Sequence, residues 1–387
     1  MSKNISSSLK YHYDEELFNN AWTSEKDPTS LVLLESGAMV EDPLIAQLIS
    51  GGGNYFTLPF YKDITGSEVN YDGATNITAD DTEDGVQSGV VIGRAKGWKA
   101  VDFIKDFTGA DPMRNILNRV EKYKAKQVQT RLIGILNAIL GINGTDAFAD
   151  WNNHKMNIAV AGETAPTDAN KIGATTLRDL AVQANGDSAD DYALAIMHSV
   201  VANRLSQFNV LEYFKYNDAR GQELDVKVGR SGNMIVLICD EVPHVVGDAV
   251  YKKTTDVALD ETKTYYTKSG DEYIAVASPD VSDIGTYYEK VRDGAMEYTT
   301  FCLGRGVLLH ANAPVERPSD IEYKASELGG TEYLYTRYRE TIHPDGFTFA
   351  MDNMPISPLD SDLATTANWS IVKNPKTIAI AKLVSNG

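Results

Sequence analysis

The sequence is short of the residues that most often carry chemistry or covalent cross-links. Cys239 and Cys302 are the only cysteines in 387 residues, each inside an apolar run and without CxxC spacing. That pattern excludes a disulfide framework and a thiolate metal centre, and reads as two small core side chains in a reducing compartment. The six histidines (His12, His154, His198, His244, His310 and His343) are scattered singly, with no HxH, HxxxH or HExxH spacing. His198 precedes Ser199, but neighbours on a helix point in different directions, so a catalytic Ser–His pair is a weak reading of them. Positive charge is also scarce: 36 Lys and Arg against 54 Asp and Glu give a net charge of −18. A surface this acidic argues against general binding to nucleic acid or to anionic membranes, which needs clustered cations. No apolar run approaches the ~18 residues of a membrane span, and the first twenty residues hold no apolar signal-peptide core.

Motifs for bound ions and phosphates are missing too. "GGG" (51–53) stands after a helix and before a strand, the reverse of a phosphate loop, and no GxxxxGK[ST] occurs. "DDTEDG" (80–85) resembles the start of a calcium loop, but the twelfth position from Asp80 is Val91 where a bidentate Glu belongs. Nothing in the chain asks for catalysis, a cofactor or a metal.

What is there is a distinctive order of elements. The first forty residues are polar and irregular, like an extended arm. Asp42 as N-cap and Pro43 at the first helical position start a helix that "GGG" ends. Phe56, Leu58 and Phe60 then alternate as in a half-buried strand, and "GVVIGRAKGWKAVDF" (89–103) reads as its return. Between them, residues 65–87 carry six acids (Glu68, Asp72, Asp80, Asp81, Glu83, Asp84) and no Lys or Arg, which predicts a two-stranded loop with an acidic tip.

The clearest helix follows, with Asp111 as cap, Pro112 in first position and Asn143-Gly144 as stop. At 1.5 Å per residue, its thirty or so residues span roughly 45 Å. Its apolar stripe runs from Met113 to Ile139, and its polar face is basic, with Arg114, Arg119, Lys122, Lys124, Lys126 and Arg131 against one acid, Glu121. By default such a face is solvated or meets an acidic partner. A shorter helix is expected from Thr175 to Asn185. Another is expected after Asp190-Asp191, where Met197, Val201, Leu205, Phe208 and Leu211 step by three and four. Strands follow in "NMIVLICD", "EYTTFCLGRGVLLH", "DIEYKASEL", "TEYLYTRYRETIH", "GFTF" and "TIAIAKLV". This is an α+β order, not the regular alternation of a doubly wound enzyme.

Several segments, taken in this order, resemble the major capsid proteins of tailed bacteriophages, a shell fold shared with herpesvirus capsid floors and encapsulins. They are "ALAIMHSVVANRLSQFNVLEYF" with Met197-His198-Ser199, "LDVKVGRSGNMIVLICDEVP" ending in Asp240-x-x-Pro243, and "RYRETIHPDGFTF" with its His-Pro-x-Gly turn. The resemblance covers nearly the whole chain except 251–292. It implies an N-terminal arm (1–50), an extended loop (51–103), and a peripheral domain (104–184 and 318–360) with a spine helix at 112–141. An axial domain (185–250, 293–317 and 361–387) and an inserted β-rich tyrosine module (251–292) complete it.

The function implied is self-assembly, as hexamers and pentamers, into an icosahedral head that encloses double-stranded DNA without reading its sequence. The subunit would be made in the bacterial cytoplasm and reside in the virion capsid, away from membranes. A separate scaffolding protein, a portal and decoration proteins are the partners expected. Some members weld subunits through a Lys–Asn bond; Lys96 and Lys99 lie in the returning strand, but no local motif marks a cross-linker. An encapsulin-type nanocompartment is the alternative within the shell class, and a cytoplasmic α+β enzyme the alternative outside it.

Two regions are singled out on these grounds. The loop acids Asp80, Asp81, Glu83 and Asp84 are expected to meet Lys122, Lys124 and Lys126 of a neighbouring subunit's long helix. The module holds or adjoins seven tyrosines (Tyr251, Tyr265, Tyr266, Tyr273, Tyr287, Tyr288 and Tyr298). About forty residues make little core, and there large amphipathic rings help most. It reads as an outward-facing insertion: a longer hairpin without separate function, or a receptor- or glycan-binding knob.

Overall fold

The computed structural model describes residues 37–62, 64, 66–72, 76, 79, 81–102, 112–160, 165–208, 210–217, 223–232, 234–254, 263–270, 272–276, 286–350 and 355–387. Most of the predicted arm, the Asp111 cap and Asp80 therefore lie outside the described residues. The chain divides into two compact units. One takes in the described residues up to Asn152 together with Leu303–Ala379, and the other Asn153–Cys302 with Ile380–Gly387. Residues 303–317 and 361–379, expected with the axial segments, belong to the first unit.

In the first unit the helix Pro43–Ser50 begins as the sequence indicates. Asp42 accepts a hydrogen bond from the Leu44 amide at 2.8 Å, and Pro43 fills the first turn, where a missing N–H costs nothing. Its buried Ile45 and Ile49 pack with Phe56, Leu58, Val91, Ala311 and Ala313. The organising strand is Thr331–Pro344. It pairs antiparallel with Ile92–Val101, with Ser319–Lys324 and with Leu308–Ala313, and Met39–Glu41 adds in parallel beyond the last. Leu334 and Ala100, on one face of this sheet, meet Met113 and Val120 of the long helix Pro112–Gly141. The C-terminal half of that helix is sealed by Trp151, which is fully buried and donates from Nε1 to the Ile139 carbonyl at 3.2 Å.

The predicted two-stranded loop is present with a shifted return. Tyr55–Tyr61 pairs antiparallel with Asp84–Val90, whereas Ile92–Val101, expected in the return, turns away to join Thr331–Pro344. Phe56 stands opposite Gly89 and Phe60 opposite Gly85. A Cβ at either glycine would run into the facing ring, so these sites need the smallest residue.

The second unit is built on an eight-stranded mixed sheet. Its path runs Lys155–Asn157, Ile380–Ser385, Met296–Gly304, Tyr192–Met197, Met234–Ile238, Glu223–Ser231 and Leu211–Asn217, with His244–Val246 pairing to Met296–Gly304. Here the helix expected after Asp190-Asp191 needs correcting. Tyr192–Met197 is a strand buried on both faces, parallel to Met234–Ile238, and the helix occupies only Ser199–Gln207. A continuous apolar run suits a central strand as well as a buried helix, and in this case the strand pairing decides. The shorter helix runs Thr176–Asn185 and stops at Gly186, whose φ of +61° favours glycine.

The tyrosine segment forms a four-stranded antiparallel sheet of its own, in the order Val250–Lys253, Tyr288–Arg292, Tyr265–Ser269, Glu272–Val276. The strands that flank it pair with each other, His244 with Tyr298 and Val246 with Met296. The segment therefore opens out of a hairpin that is closed beneath it.

Candidate assembly surface

The extended loop leaves its core quickly. Phe56 and Leu58 are buried at its root, but Tyr61 is 83% exposed, Ile64 91% and Tyr71 92%. Each of these large apolar side chains stands in water at a cost that a covering partner would relieve. The described acids of the tip, Glu68, Asp72, Asp81, Glu83 and Asp84, are exposed as well. Glu83 is already paired within the chain, to Lys62 Nζ at 2.9 Å, and that hydrogen bond and charge hold its pKa below the ordinary carboxylate value.

The long helix presents its bases in two ways. Arg119, Lys122 and Lys126 are exposed, while Lys124 is half-buried with its ammonium 5.0 Å above the Tyr338 ring. Arg131 departs from the predicted solvated face, because it is buried. It forms an ion pair with Glu340 and bonds Asp360 through Nε at 2.9 Å, and Arg94 holds the same Asp360 oxygen at 2.7 Å. Burial opposes the charge of each partner. Even so, Glu340, Tyr338 and Asp360 keep the Arg131 pKa above its ordinary value, and His310, Arg131 and Lys124 keep Glu340 below its own. The network fastens the helix to the strands Thr331–Pro344 and Ile92–Val101. Glu83 pairs with Lys62 and Lys124 lies over Tyr338, so neither of these two contacts joins a loop acid to a helix base, and Asp80 lies outside the described residues.

No model of a known family matches the chain. The chain is similar to the major capsid protein of Bacillus phage SPP1, 22% identical over 369 residues, which cover 95% of this chain and 94% of that one. Among solved structures it is similar to the capsid of Ralstonia phage GP4, with a TM-score of 0.52 at 9% identity, over 91% of this chain and 88% of that one. The fold is that of the phage major capsid proteins. The resemblance read from the sequence is borne out, and the encapsulin alternative has no counterpart in either relative.

Within this capsid fold the structure adds a partly buried polar cluster at the loop's root that the sequence does not reveal. Gln87, in the returning loop strand, donates to Asp345 at 2.9 Å and accepts from the Gly346 amide at 2.9 Å, and Lys373 Nζ bonds both Asp345 oxygens at 2.8 Å. His343 is buried beside them against Phe56 and Trp369. Burial holds it near pKa 4 despite the pull of Asp345, so it is neutral in ordinary buffers. The one local signal was the His-Pro-x-Gly turn; Gln87, 258 positions from Asp345, gave none.

The Ser199–His198 pair has a structural explanation in the capsid fold. His198 Nδ1 accepts from the Val200 amide at 3.2 Å and so caps the helix Ser199–Gln207, while Asp240 accepts from the Ser199 amide at 3.1 Å. Among the described residues no group of three or more His, Cys, Asp or Glu is placed to hold a metal ion, and no described helix is long and apolar enough to cross a membrane.

Proposed function

We propose that this chain is a bacteriophage major capsid protein, the subunit from which the icosahedral shell of the head is assembled. The observation that carries the reading is the extent of the likeness: 95% of this chain aligns with 94% of a major capsid protein, with no large part of either left over. An α+β body and a loop that exposes Tyr61, Ile64 and Tyr71 support it, since a neighbouring copy of the chain would cover them.

In this reading the subunits form hexamers and pentamers around double-stranded DNA. A separate scaffolding protein, a portal and decoration proteins complete the particle, and segment 251–292 is an insertion on the outer surface. The net charge of −18 suits the task, because a lining that is not cationic lets packaged DNA slide in and out. The loop acids Asp80, Asp81, Glu83 and Asp84 would contact Lys122, Lys124 and Lys126 of the next subunit. Exposure of Asp81, Glu83, Asp84, Lys122 and Lys126 supports that pairing, while Lys124 contributes less because it already lies over Tyr338. Negative-stain microscopy of the purified protein tests the function. Shells or capsomer rings are expected, and compact monomers at every concentration would overturn it.

A further inference from the structure

The inserted sheet has two unlike faces. Cross-strand register places Tyr251 and Lys253, Tyr288 and Lys290, Tyr266 and Lys268, and finally Tyr273 on one side, strand by strand. The opposite side holds the buried Tyr265 and Glu289, the latter paired to Lys263 at 3.1 Å. On the first side the rings close on one another. Tyr251 and Tyr273 stack with centroids 4.0 Å apart, Tyr266 stands edge-on to Tyr251 at 4.8 Å, and Tyr288 edge-on to Tyr273 at 5.2 Å.

All four of these rings are half-buried, and among the described residues none of their hydroxyls has a hydrogen-bond partner. Lys268 lies 5.7 Å from the Tyr273 centroid, Lys253 has no acidic partner among the described residues, and Lys290 is paired with Asp293. A cationic and aromatic face is a local exception on a chain of charge −18.

We propose that this face binds an anionic polyol polymer, its hydroxyls interspersed with carboxylate or phosphate groups. Interlocked rings hold the phenol hydroxyls in place at little entropic cost, and each hydroxyl can both donate to and accept from a polyol. The lysines supply ammonium groups for carboxylate or phosphate substituents spaced along the polymer. A single nucleic-acid strand fits less well, because its bases need open ring faces to stack on, and the Tyr251–Tyr273 pair covers one face of each ring. The inference goes beyond the proposed function and does not depend on assembly, so its failure would leave that reading intact.

The test is affinity electrophoresis of the full chain through gels that contain polygalacturonate, a glycerol-phosphate polymer, dextran or oligothymidylate. Retardation is expected with polygalacturonate or the glycerol-phosphate polymer, and which of the two acts identifies the uronate or the polyol-phosphate source. Lys253→Glu with Lys268→Glu should weaken it by about tenfold or more, and added salt should weaken it further. Tyr266→Phe with Tyr273→Phe keeps the rings and removes two hydroxyls, and should also weaken it severalfold. The proposal is overturned if neither anionic polymer retards the protein, if dextran or oligothymidylate does so equally, or if both double variants bind as the parent does.

Discussion

Two excursions leave the body of this chain, and they solve the problem of small size in opposite ways. In the loop the described Tyr61, Ile64 and Tyr71 stand in water, and among the described residues its buried apolar side chains, Phe56 and Leu58, are at the root. The inserted sheet gathers four tyrosines against one another and buries Tyr265 and Tyr287 as well. A segment that lacks its own core needs another molecule to complete it; one that has its own can be carried as a passenger. On the proposed reading, assembly would rest on the loop and the insertion would be free for a separate task.

The comparison assumes a body that stands without either excursion, and the largest expected effect tests that assumption. Glu340→Ala would take the buried acidic partner from Arg131 and leave the half-exposed Asp360 as its described counter-charge. Removing one member of a buried pair costs about 3–5 kcal/mol, which denaturant titration would read directly. A loss under about 1 kcal/mol would mean that the network is solvated and that the body draws its stability from elsewhere.

The next effect probes the loop's root. His343 has a folded pKa of about 4 against 6.5 when unfolded, so below pH 6.5 the unfolded chain binds the extra proton. Stability should therefore fall as pH drops from 6.5 towards 4, by about 3 kcal/mol at most from this residue. His343→Gln should flatten that part of the profile. An unchanged slope in the variant would show that the root is open to water and the loop is not seated in the body.

Charge at the loop tip should matter less per pair, about 0–1 kcal/mol, but the proposed contact would recur at every subunit interface. Changing Asp80, Asp81, Glu83 and Asp84 to Lys should impair assembly, and changing Lys122, Lys124 and Lys126 to Glu as well should partly restore it. Assembly should also weaken with salt as the Debye length shrinks to about 3 Å at 1 M. Normal assembly of the loop variant at low salt, or no rescue by the double reversal, would separate the two clusters.

The smallest effect is expected at the insertion. Replacing 251–292 with a short Gly/Ser turn should leave assembly unchanged, because His244–Val246 and Met296–Tyr298 already pair beneath it. Soluble protein that makes no capsomers would show that the insertion is itself part of the contact.

Legibility in the sequence followed the range of the interaction. Caps and periodicity are local, so Asp42-Pro43, the Phe56–Leu58 alternation and the helix Pro112–Gly141 could be read directly. The strand Tyr192–Met197 is not legible as one, because its apolar run gives no period once both faces are buried. Arg131 fits a solvated stripe by sequence alone, because its partner Glu340 is 209 positions away and nothing near Arg131 announces it. The cysteines match the sequence expectation of core residues: both are buried thiols outside any disulfide, and burial pushes the Cys302 thiol up to about 12.

Sedimentation velocity of the full chain beside a chain lacking 62–83 tests the central claim most directly. The account predicts fast-sedimenting capsomers or shells for the first, and folded monomers alone for the second. Monomers from the full chain, or shells from the shortened one, would contradict it.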